Sequence, residues 1–252
     1  MTATAGSDAP TASEGRPRLV ARFGLTERAA HWIHAAAFFV LLVSGLVLYV
    51  PAFATTVGNR PLAKSVHLAA AVLWLAGLAL VATLGDRRAL RATRRELERF
   101  DADDALWLRH RPAPQGRFNA GQKIHAILQA ALAVLFTVSG TLLWLGERDT
   151  TFRLPGTIAL HDVCMFAALA LVAGHLYLTL VHEPTHGALG GMVGGDVDAA
   201  YARRHHAKWR AGAPVPRRVG RPTTRQLVTA AAIAAAGLAL TVALVADVLG
   251  AG

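Results

Sequence analysis

The sequence predicts an all-α integral membrane protein with five spans, and three observations predict it. Of the 252 residues, 54% are hydrophobic and only 17% are charged, which is less charge than soluble domains carry. The charges cluster, leaving long stretches with almost none. Five of those stretches reach the ~20 apolar residues that one crossing of the hydrocarbon needs. They are Trp32–Phe53, Ser65–Gly85, Ile124–Leu145, Thr157–Val181 and Gln226–Leu249.

Each element has its own signal. Residues 1–20 are small, polar and punctuated by Pro and Gly, without the apolar core of a signal peptide, and read as a flexible tail. Residues 21–210 read as one membrane domain with its loops, 211–225 as a linker and 226–252 as a fifth span. The loop 86–123 opens with DRRALRATRRELERF, a short basic helix suited to a membrane surface. It continues through HRPAPQGRFN, where two prolines and a glycine break regular structure. Asn119 is a favoured N-cap for the third span, and Gln122 three positions later completes a capping box. After the fourth span, EPTHGALGGMVGGDVD is glycine-rich and loop-like, and AAYARRHHAKWR reads as a short interfacial helix. The single cysteine, Cys164, lies in an apolar run, which excludes an intramolecular disulfide or a cysteine-caged metal. No repeat of 20–50 residues is visible.

The net charge of +10 is a matter of topology rather than of nucleic-acid binding. Segments 1–30, 86–123 and 183–225 hold 22 of the 26 Lys and Arg residues, whereas the alternate loops hold only Arg60, Lys64, Arg148 and Arg153. The positive-inside rule then puts the N-terminus in the cytoplasm and the C-terminus outside. The outer loops, near 54–64 and 146–156, are too short for a catalytic domain, so chemistry on that side belongs to a partner subunit.

Histidines within the spans are the chemical signal, because ionisable groups at such depth are costly and face a partner in the bundle. His161 and His175 in the fourth span are 14 residues apart, about 320° of rotation and about 21 Å of rise. One helix therefore offers imidazoles on nearly one side at two depths. At the outer level His67 is the natural partner of His161. At the inner level His31, His34 and His125 are all candidates for His175, while His182 and His186 lie too close to the surface loop. Paired imidazoles across a four-helix bundle suit haem iron. A divalent metal would call for carboxylates or clustered imidazoles. Only Asp162 and Asp247 are acidic within the spans. Asp162 is read as solvated or supporting His161 at the outer end, and Asp247 as solvated by headgroups, which makes ion transport the weaker reading.

RAAHW (28–32), KSVHLAAA, RFNAGQK, HD…GHLY and GGMVGGDVDAAYARRHHAKW follow in that order. Together they resemble the cytochrome b, or gamma, subunit of membrane-bound formate dehydrogenases over about residues 20–210. The resemblance implies a four-helix transmembrane di-haem bundle, to which this chain adds a C-terminal transmembrane helix. It implies two b haems, the outer one on His67 and His161 and the inner one on His31 and His175. It implies a quinone, menaquinone or ubiquinone, at Asn119, Gly121 and Gln122 beside His175. The implied partners are an iron–sulfur (beta) subunit and a molybdenum or tungsten catalytic (alpha) subunit in a bacterial cytoplasmic membrane. Hydrogenases, thiosulfate reductases and other molybdoenzymes use similar haem subunits. His205 and His206 match motif positions without an assigned role, and read as charge at the membrane surface. The fifth span departs from the family pattern and, lacking histidine, is expected to pack outside the bundle or to replace a partner's anchor.

Overall fold

A computed structural model describes residues 18–209 and 219–250. A short strand β1 (Leu19–Ala21) leads into α1 (Leu25–Tyr49), α2 (Pro51–Val57) and α3 (Arg60–Leu84). Then come α4 (Arg87–Glu98), α5 (Ala102–Leu108), α6 (Ala120–Gly146) and α7 (Thr157–Leu176), which a π-helical turn prolongs to Val181. α8 (Glu183–His186), α9 (Leu189–Val193), β2 (Asp196–Asp198), α10 (Ala199–His205) and α11 (Thr224–Gly250) complete the chain.

Among the described residues, α1, α3, α6, α7 with its extension, and α11 are the five helices long and apolar enough to cross a membrane. Four match their predicted spans to within a few residues, apart from the earlier starts of α3 and α6. The first span does not reach Phe53, because Pro51 removes a backbone donor and opens the separate helix α2. Val50 before it is extended, at φ −95° and ψ 113°, the conformation that proline imposes on its predecessor.

Backbones pack closely along α3, with α1, its hairpin partner, on one side and α11 on the other, and less extensively within the second hairpin, between α6 and α7. Small residues permit this on both sides of α3. A Cβ at Gly77 would come 3.0 Å from Ile33 of α1, and one at Gly237 of α11 would come 2.9 Å from Ala76, the close approach small residues allow in membranes. Gln226 Nε2 also donates to the Thr83 carbonyl at 2.8 Å. The fifth span thus packs outside the bundle, on α3. Its Asp247, expected among headgroups, pairs with Arg148 while staying half exposed.

The loops hold one expected helix and one unexpected platform. The predicted surface helix is α4, capped by Asp86, whose carboxylate accepts from the N–H of Arg88 and Ala89. The glycine-rich stretch after α7 is not a loop but a platform of short elements, and β2 pairs antiparallel with β1. Leu19 and Val20 of that strand belong to the predicted tail. The platform forms because α1 supplies donors: Arg28 Nε and Trp32 Nε1 both bond the Met192 carbonyl, at 3.1 and 3.0 Å. Gly195 turns the chain at φ +94°, a conformation suited to glycine. Its carbonyl accepts from Arg22 and Phe23. The predicted linker lies partly in 210–218, outside the described residues.

Candidate functional site

The two hairpins meet through histidines. His67 of α3 and His161 of α7 have ring centroids 6.3 Å apart. His31 of α1 and His175 of α7, near the other end of the bundle, are 6.2 Å apart. An imidazole nitrogen binds a first-row metal at about 2.0–2.1 Å, so two imidazoles that would share one metal need ring centroids roughly 6 Å apart. Both pairs therefore fit an iron held between two imidazoles. His125 also meets His175, but at 5.2 Å and nearly face to face at 19°, too close for that geometry. His34 packs against Trp74 of α3 at 5.6 Å.

Serines fix the rings of the first pair. Ser44 Oγ lies 2.7 Å from the Val40 carbonyl and 2.9 Å from His67 Nδ1. Ser139 repeats the arrangement, at 2.7 Å from the Leu135 carbonyl and 2.8 Å from His161 Nδ1. Each serine thus holds its ring by Nδ1, which leaves Nε2 as the atom available to a metal. Glycine follows each serine: a Cβ at Gly45 would lie 3.4 Å from His67 and one at Gly140 3.5 Å from His161. Among the described residues no hydrogen bond fixes the rings of His31, His125 or His175.

The predicted ring-binding residues lie at the start of α6. The capping box is present: Asn119 Oδ1 accepts from Gln122 N at 2.8 Å, and Gln122 Oε1 accepts from Asn119 N at 3.1 Å. With both oxygens committed, the amide NH2 groups of Asn119 and Gln122 have no partner among the described residues. Gly121 is approached by Trp107 of α5, whose ring would be 3.0 Å from a Cβ there. Lys123 ties the same turn to α5 through Asp104 at 2.7 Å.

A polar cluster beneath this turn was not foreseen. Arg22 is 1% exposed. Its Nη2 donates to the Arg117 carbonyl at 2.8 Å and to Gln122 Oε1 at 3.4 Å. Burial brings its guanidinium down to about 10. His206, read from sequence as surface charge, is also 1% exposed. Its Nδ1 donates to the Gly116 carbonyl at 2.8 Å. Burial, and then Arg22, push it down to about 3, so it is neutral at physiological pH. His205 stacks on Tyr201 at 4.7 Å. A concavity of about 450 Å³ lies apart from all of this, between Leu84–Arg91 and the start of α11, and holds none of the histidines.

Paired imidazoles spaced for a metal, inside a helical membrane bundle, define the class: a membrane cytochrome of b type. Residues 22–195 match the family described as prokaryotic cytochrome b561, and the chain belongs to that family. It is similar to the formate dehydrogenase cytochrome b556(fdo) subunit of Escherichia coli K12, with 27% identity over 204 residues, 75% of this chain and 91% of that one. The formate dehydrogenase cytochrome b556 subunit of Haemophilus influenzae is 24% identical over 194 residues, 72% of this chain and 78% of its own length. The nitrate-inducible cytochrome b556(Fdn) subunit of E. coli K12 is 22% identical over 209 residues, 77% and 91% of the two chains.

Proposed function

We propose that the chain is the cytochrome b subunit of a formate dehydrogenase, taking electrons from an iron–sulfur subunit at the outer face and delivering them to quinone near the cytoplasmic face. The observation that carries this reading is the recurrence, at two depths, of imidazole pairs at 6.3 and 6.2 Å. His67 and His161 would hold one b haem, and His31 and His175 the other. Bound there, the haems supply one-electron carriage across the bilayer. The names of the relatives favour formate over the substrates of other molybdoenzymes. Formate would be oxidised by the molybdenum or tungsten subunit. The basic end of the bundle lies in the cytoplasm of a bacterial inner membrane and the C-terminus outside, by the distribution of Lys and Arg.

The residues at the start of α6 bind the quinone. Asn119 and Gln122 present amide N–H donors to a ring carbonyl, and the helix N-terminus adds partial positive charge that stabilises a reduced oxygen. Gly121 receives the ring of Trp107, and in this reading His175 would border the quinone on the haem side. Reduction of the ring consumes two electrons and two protons, and the pocket's place at the basic end lets the protons come from the cytoplasm.

Reduced-minus-oxidised spectra of the purified protein test the reading. The b-type bands should fall by about half in His67→Ala or His161→Ala. Absence of b-type bands in the parent protein would end it. Asn119→Ala should slow quinone reduction while partner-driven haem reduction persists.

A further inference from the structure

Residues 22–45 and 117–140 are related by a constant shift of 95 positions. Arg22-Phe23 becomes Arg117-Phe118, Glu27-Arg28 becomes Gln122-Lys123, and Val43-Ser44-Gly45 becomes Val138-Ser139-Gly140. His67 and His161, on the helices that follow, keep the relation to within one residue. Space repeats the pattern. Arg117 Nη1 crosses to the Arg22 carbonyl at 3.3 Å and to Glu27 Oε1 at 2.8 Å. Arg22 Nη2 crosses back to the Arg117 carbonyl at 2.8 Å and to Gln122 Oε1 at 3.4 Å. The starts of the two hairpins mirror one another, each clasped by the arginine of the other.

The clasps differ in charge. Glu27 gives Arg117 a counter-ion, and the hydroxyl of Thr93 lies 2.6 Å from Arg117 Nη2. Gln122 gives Arg22 none. Arg22 forms no ion pair among the described residues, and its buried Nε has no partner. A buried cation without a counter-ion is costly, and a glutamate at 122, as the twin already has, would relieve it. The amide supplies what a carboxylate cannot, an N–H donor. Gln122 Oε1 is occupied by Arg22 and by Asn119 N, so its NH2 is turned away from the clasp.

We propose that Arg22 is a positioning residue for the quinone: it holds Gln122 by its oxygen, aims the amide N–H at a ring carbonyl, and keeps its charge un-neutralised to favour the electron-rich reduced ring. The inference rests on the quinone reading above. The first hairpin, with Gly24 and Glu27 in the twin positions, is the purely structural copy, which accounts for one such pocket rather than two.

The test is haem reduction by quinol, followed by stopped-flow absorbance of oxidised holoprotein mixed with decyl-ubiquinol or menadiol. Gln122→Glu remakes the structural clasp. It should keep both haems and melt no lower than the parent, while the limiting rate of haem reduction falls about tenfold or more, the scale of one charge-assisted hydrogen bond. Arg22→Gln should lower the limiting rate more than the apparent quinol affinity, and Arg22→Lys should restore part of it. Gln122→Glu with intact haems and a rate within twofold of the parent would overturn the proposal, as would loss of folding in that variant. Slowing in Asn119→Ala and Gln122→Ala but not in Arg22→Gln would overturn the role of Arg22 and leave the quinone reading standing. Unchanged rates in both alanine variants would sink the quinone reading itself.

Discussion

Replacing Lys123 with Met tests the ion pair that locks α6 to α5. Lys123 and Asp104 are 8% and 3% exposed, and their charged atoms are 2.7 Å apart. The ammonium also donates to the Arg99 carbonyl at 2.9 Å, and Asp104 accepts from Asp101 N at 2.9 Å. Methionine fills the lysine stem but strands the carboxylate, leaving it only that backbone N–H. Breaking a buried pair from one side costs about 3–5 kcal/mol. In Lys123→Met/Asp104→Asn the amide oxygen still accepts from Asp101 N and no charge is stranded. The double variant should then lose only about 1–2 kcal/mol, well short of the sum of the two single variants. Titration with SDS in mixed micelles, followed by tryptophan fluorescence, measures all four corners of the cycle. A single variant within about 0.5 kcal/mol of the parent, or strictly additive losses, would refute the reasoning.

Acid should weaken the basic end through His206. Its folded-state value near 3 lies below the ordinary 6.5, so between those values the unfolded chain binds a proton that the folded chain refuses. Stability therefore rises with pH across that window, and going from pH 7 to pH 5 should cost about 2 kcal/mol. His206→Gln should flatten the slope in melts recorded from pH 5 to 7.5. His125→Ala should spare both haems whereas His31→Ala loses one, as read by haem content per protein; the reverse result would reassign the inner ligand. Removing residues 222–252 should leave haem content intact, because α11 packs on α3 and brings no histidine; loss of both haems would contradict it.

The spans were legible because hydropathy acts over twenty residues at a time and needs no knowledge of neighbours. The end of α1 was misjudged where one residue, Pro51, outweighs that average. His67 and His161 could be matched by depth, but His31, His34 and His125 lie within three turns of their helices' starts, so depth left them equal and only the family resemblance singled out His31. Ser44 and Ser139 passed unnoticed because a serine in an apolar helix usually bonds its own carbonyl, as these two also do. Their recurrence with glycine at a shift of 95 was available to a comparison of the two halves, but not to a search for short repeats. His206 follows Arg203, Arg204 and His205, so composition suggested surface charge. Its burial depends on Gly116, ninety positions away, and on the β1–β2 platform that the glycine-rich stretch concealed.

The serines between α1 and α3, and between α6 and α7, also make each hairpin self-sufficient. Ser44 reaches both the Val40 carbonyl of its own helix and His67 Nδ1, and Ser139 reaches both the Leu135 carbonyl and His161 Nδ1. Each ring is thereby angled within its own hairpin, and neither depends on the opposite pair of helices for its orientation.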